Sequence, residues 1–139
     1  METLTPAVLS ARPNTSGLLR RGALAGAIAT LGTTLVAAIA SAAGVSLEVD
    51  GTAIPIAAFA WWTIVGAAVG IVLARLLRER RRFVVVTTVA VGLSLIPAIA
   101  APDDTATKAV LVGCHLLAAA IIIPTVSRRL PVNIDRRRR

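Results

Sequence analysis

A single cysteine, Cys114, and a single histidine, His115, stand in a chain of 139 residues. One cysteine excludes an intrachain disulfide, a CxxC redox pair and any cysteine-based zinc site. One histidine leaves a two-imidazole metal or haem centre only to a symmetric oligomer. Lysine is nearly missing too, since Lys108 is alone among the 15 basic residues and every other one is arginine. That bias, with abundant alanine, suggests a high-GC bacterial coding sequence. No G-x-S-x-G, HExxH, Walker loop or paired carboxylate occurs, so neither an enzyme nor a cofactor is expected. The first long apolar run, residues 22–45, contains no acid at all. That excludes the logic of small four-span drug exporters, which place a glutamate within the first span.

What is present is apolar and sharply partitioned. Hydrophobic residues make up 56% and mean hydropathy is +0.81, too apolar for a soluble domain that must also cover itself with polar surface. The net charge of +8 could serve nucleic acid, but each basic cluster abuts an apolar run. Anionic lipid headgroups are therefore the expected partner, and nucleic acid is not. All the basic residues except Lys108 lie in the first 21 residues, in 75–82 and in 128–139, while Glu48, Asp50, Asp103 and Asp104 occupy the other two connections. Basic segments resist translocation, so all three share the cytoplasmic side.

The expected fold is therefore an all-α membrane protein: a four-transmembrane-helix bundle with both termini inside, in a bacterial cytoplasmic (inner) membrane. Its parts are a flexible tail over 1–19, a transmembrane domain over 20–130 and a basic tail over 131–139. The spans fall at about 22–45, 55–77, 83–101 and 105–126. A rival for the first span is a cleaved signal peptide, since Arg20-Arg21, the apolar run and Ala40-Ser41-Ala42 imitate its three regions. The run is too long for that, and cleavage would leave three spans.

Between the first two spans, Asp50-Gly51 is a type I′ turn signal, with Leu47 and Val49 alternating with polar neighbours. A short extracytoplasmic hairpin or an irregular loop would both satisfy it. Phe59, Trp61 and Trp62 suit the headgroup boundary, and Arg75 is placed to extend its guanidinium to the inner interface. Either Asp103 or Asp104 can cap the fourth helix, and Pro124 should kink or end its last turn.

Helices associate in lipid through close backbone approach and hydroxyl bridges. Gly22 and Gly26, continuing through Thr30, Thr34, Ala37, Ser41 and Gly44, make one such face, and Gly66, Gly70 and Ala74 another. Thr87, Ser94 and Pro97 form a third. On the fourth helix, Asp104, Lys108 and His115 share a face, because seven residues turn a helix through almost two revolutions. His115 lies about 16 Å below Asp104, near the bilayer midplane, where an imidazole needs a hydrogen bond. Thr33, Thr34 and Ser94 are at comparable depth. Two readings follow: a polar path through Lys108 and His115 for a proton, ion or small anion, or a histidine that holds helices together while Lys108 snorkels or pairs with Asp104.

Residues 50–130 carry Asp50-Gly51, Ile54-Pro55, Phe59 before Thr63 and Gly66, the run from Gly70 to Arg75, Asp103-Asp104-Thr105, and His115 followed by Ala118-Ala119 and Pro124. In these the chain resembles an uncharacterised family of small four-span actinobacterial membrane proteins. The resemblance implies the same topology and supplies no reaction. The expected function is a non-catalytic envelope component that interacts with lipids or other membrane proteins. The alternative is a small transporter or channel using the midplane histidine, which would need a homo-oligomer to enclose a pore.

Overall fold

The structure is a computed structural model that describes residues 15–132. Expectations for residues 1–14 and for the arginine-rich end, 133–139, lie outside the described residues. The element order is α1 (Thr15–Ala42), β1 (Glu48–Val49), β2 (Thr52–Ala53), α2 (Ile56–Leu77), α3 (Arg80–Ala100) and α4 (Thr105–Ser127). Each of the four helices is long and apolar enough to cross a membrane.

Helix α1 starts two turns earlier than the apolar run alone suggests. Those turns carry Leu18 into a core cluster with Phe83, Val126 and Leu130, while Arg20 and Arg21 stay exposed. Arginine is a good helix former, so the basic pair does not stop the helix. At the other end Gly44 takes φ +86°. There Val45 N–H donates to Ala40 O at 3.0 Å and Gly44 N–H to Ser41 O at 3.0 Å. This pairing closes the helix as a Schellman motif, and Val45 packs beside Ala40 as that motif favours.

The next residues form a hairpin rather than an irregular loop. Glu48 pairs with Ala53 and Val49 with Thr52, and Asp50 and Gly51 both adopt left-handed φ, +50° and +70°. Two two-residue strands would not persist alone. They are held because Leu47, only 3% exposed, plugs the end of the bundle against Ala37, Ala40, Phe59 and Cys114. Leu47 does so at φ +50°, a conformation costing a leucine roughly 1 kcal/mol. Phe59 thus points inward, whereas Trp61 and Trp62 remain exposed.

Helix α2 ends at Arg78, whose N–H still bonds Ala74 O and whose φ of +47° then turns the chain out of the helix. Glu79 follows and bridges to Arg82 at 2.9 Å. Arg80 N–H, an orphan donor of the first turn of α3, bonds Pro131 O at 3.1 Å, tying the α2–α3 turn to the segment beyond α4. Pro97 and Pro124 lie inside α3 and α4, and α4 continues past Pro124 to Ser127.

The four helices are not packed symmetrically. Helix α1 lies against both α2 and α4, α3 rests mainly on α4, and α2 barely meets α3 despite the short turn between them. The outward faces are large and apolar, with Leu24, Leu31 and Leu35 on α1 and Val89, Leu93 and Ile96 on α3 all exposed. Such a surface suits lipid and not water.

Candidate functional site: a lateral groove between α2 and α3

The α1–α2 seam is built on absent side chains. A Cβ on Gly26 would sit 2.9 Å from the Cβ of Ala67, and one on Gly22 would sit 2.7 Å from Cγ1 of Ile71. The buried stripe of α1 then runs through Ala29, Thr33 and Ala37, not through Thr30, Thr34 and Ser41. The two lines part after Gly26, where the buried stripe steps three residues to Ala29 and a step of four leads to Thr30, about 100° further round the helix. Thr30 instead bonds its own Gly26 O at 2.8 Å. Ser41 and Gly44 are exposed, and the buried Thr34 Oγ1 has no hydrogen-bond partner among the described residues.

Thr33 joins three helices. Its Oγ1 lies 2.9 Å from Thr63 Oγ1, and Thr63 donates to Phe59 O at 2.7 Å. Thr33 Oγ1 also lies 3.2 Å from Thr30 O; with the Thr63 proton held by Phe59 O at the shorter distance, the Thr33 proton is shared between Thr63 Oγ1 and Thr30 O. The Cys114 thiol reaches Thr33 O at 3.7 Å from α4. Cys114 is thereby a small core residue of the α1–α4 contact.

On the other side of α2 the packing fails to close. A cavity of about 620 Å³ lies between α2 and α3, with α4 as its floor. Its wall includes Trp62, Gly66 and Gly70 from α2, Thr87 and Ser94 from α3, and His115 from α4. A Cβ placed on Gly70 would meet Ile122 at an ordinary 3.5 Å, while nothing lies within 4 Å of one placed on Gly66. Gly66 therefore enlarges the groove and does not seal a helix pair.

His115 Nδ1 is 2.8 Å from Leu111 O, one turn back on its own helix. None of Thr33, Thr34 and Ser94 is its partner. Thr33 faces the α1–α2 seam, and Ser94 shares the groove but donates to Val91 O at 2.7 Å. A helix backbone carbonyl three or four residues away lies nearer an imidazole than a hydroxyl across the groove.

Asp104 caps α4, accepting from Thr107 N–H at 2.9 Å and from Ser46 Oγ at 3.1 Å. Those bonds, Thr107 first, hold its carboxyl below the usual value of 3.8. Among the described residues the one ion pair is Glu79–Arg82, so Lys108 does not pair with Asp104. Neither Lys108 nor Asp104 lines the groove. The shared helical face of Asp104, Lys108 and His115 thus leads into no common opening. Among the described residues no three His, Cys, Asp or Glu side chains converge as a metal site would require.

The hydroxyl pair Thr33–Thr63 and the groove itself are not visible as motifs. Thr63 does lie one turn beyond Phe59 on α2, at the depth of Thr33, which is the signal for the pair.

Residues 13–132 match a family described as a family of unknown function, DUF6069. The chain belongs to that family. No curated protein and no solved structure matches it.

Proposed function

We propose that this family member is a non-catalytic component of a bacterial cytoplasmic membrane, and that it receives an apolar partner from within the bilayer through the α2–α3 groove. Arg20 and Arg21, the α2–α3 turn and Arg128-Arg129 lie at one end of the helices, and Glu48, Asp50, Asp103 and Asp104 at the other. The bias toward cytoplasmic arginine then puts both termini inside and the hairpin outside. Each arginine near an anionic leaflet adds roughly 1 kcal/mol of attraction.

One observation carries the reading. Two consecutive helices, joined by a turn at Arg78-Glu79, leave about 620 Å³ between them in a chain whose first two helices close tightly on Gly22 and Gly26. An opening of this size with an apolar wall and a few polar groups has the character of a binding site.

A photoreactive phenylalanine at Ala90, on the groove wall, is compared in native membranes with one at Leu31, on the lipid-facing side of α1. A discrete adduct at position 90 and heterogeneous bulk lipid at position 31 are expected. The same bulk-lipid pattern at both positions defeats the reading.

A further inference from the structure

Apart from the indole N–H of Trp62, near the outer end of α2, the hydroxyls and the imidazole in the groove wall are of one kind. A carbonyl oxygen only accepts, so the bond to Leu111 O assigns the hydrogen to Nδ1 of His115 and leaves the Nε2 lone pair of the neutral ring as an acceptor. Among the described residues none donates to Nε2. The three hydroxyls in the wall have committed their protons to their own helices: Thr63 to Phe59 O, Thr87 to Phe83 O and Ser94 to Val91 O, each at 2.7 Å. The hydroxyls and the imidazole therefore offer lone pairs and no free hydrogen. An unmet acceptor in an apolar site is satisfied by a molecule that brings the hydrogen with it.

Depth narrows the choice. His115 stands near the middle of α4 (Thr105–Ser127), about 15 Å from either edge of a hydrocarbon core about 30 Å thick. Phospholipid headgroups stay at those edges and present only chains at this depth. Ammonium donors are costly to bring there. A serine or threonine on a second membrane helix has its own backbone carbonyl one turn back competing for its proton, as at Thr63, Thr87 and Ser94 here. A free, uncharged hydroxyl on an apolar body meets all three conditions, and a volume near 620 Å³ lies within the range of about 300–1,000 Å³ usual for small-molecule sites.

We infer that the α2–α3 groove binds an uncharged, membrane-dissolved alcohol or phenol, an apolar chain with a prenyl-alcohol or hydroquinone head, whose O–H donates to Nε2 of His115. The inference rests on the groove being the working surface. It adds the chemistry of the occupant.

The single histidine makes the test direct, because the full chain with ¹⁵N-histidine and a histidine-free affinity tag carries one imidazole. In lipid nanodiscs the probes are farnesol and decyl hydroquinone, each against its methyl ether. A saturable upfield movement of the Nε2 resonance with either hydroxyl probe, and none with its ether, is expected, and the probe that acts identifies the head. Gly66→Leu, which has open space for its side chain, should abolish the response. His115→Phe should retain labelled farnesol or hydroquinone about tenfold less tightly.

An Nε2 signal unmoved by both hydroxyl probes, or moved equally by the ethers, overturns the inference. So does an unchanged response in Gly66→Leu. If the discrete Ala90 adduct persists while Nε2 stays silent, only the hydroxyl assignment falls. If the adduct is also missing, the groove itself is not a site.

Discussion

The α1–α2 seam and the α2–α3 seam share a helix, and each joins neighbours in the chain, yet only the first closes. On one side of α2, Gly26 meets Ala67 and Gly22 meets Ile71 so closely that a single added carbon does not fit. Thr33 and Thr63 bridge across the same seam. On the other side, Gly66 faces open space and the hydroxyls of Thr87 and Ser94 turn back on their own helix. In lipid the hydrophobic effect does not press helices together, so contact is won by shape and by hydrogen bonds. Small residues are common to both sides. What separates them is whether the small residue meets a side chain of the next helix, as Gly22 meets Ile71 and Gly26 meets Ala67, or faces a gap, as Gly66 does.

The contrast can be broken most severely at the closed seam. Gly26→Leu should push α1 from α2 and lower stability by roughly 2–3 kcal/mol, read as a fall in the thermal midpoint in detergent. Thr33→Val should cost about 1 kcal/mol. Adding Thr63→Val should cost little more, and a double-mutant cycle that instead gave additive losses would deny the bridge.

The tie between the hairpin and α4 should contribute less. Asp104→Ala removes the acceptor for Thr107 N–H and Ser46 Oγ, so the variant should melt lower at neutral pH. The folded carboxyl titrates below 3.8, so this stabilisation is complete above the unfolded value and is lost as the pH falls through the folded one. Wild type and variant should therefore converge in melts run at acid pH. At the open seam, Gly66→Leu should change stability by no more than about 0.5 kcal/mol. A large loss there would show that the groove closes on itself and would erase the comparison.

Much of this architecture is legible in the residues. The four helices follow from apolar runs punctuated by Pro55, Arg78-Glu79 and Asp104, while Asp50-Gly51, the pair that tolerates two left-handed conformations, leaves a hairpin and an irregular loop both open. Gly22 and Gly26 identify the face of α1 that meets α2. The remainder of that face is misread when the step after Gly26 is taken as four to Thr30 and not three to Ala29, which puts Thr34 in place of Thr33. Hydroxyl depth alone also misplaces the partner of His115, since a carbonyl one turn back is closer than any hydroxyl on a neighbour. The groove has no sequence signature. It arises from which pairs of helices fail to meet, and chain order says that α2 precedes α3 without saying how far apart they stand.

That α3 rests mainly on α4 sets an order for biogenesis. While the ribosome is still adding the last span, α1 and α2 can already close on Gly22 and Gly26, but α3 must wait in the membrane with almost nothing to hold it. Domains made of successive helices acquire partners in the order of synthesis. A chain arrested before Thr105 would accordingly expose α3 to membrane quality-control proteases while its first two helices stayed protected, and release of α4 would complete the bundle in one step.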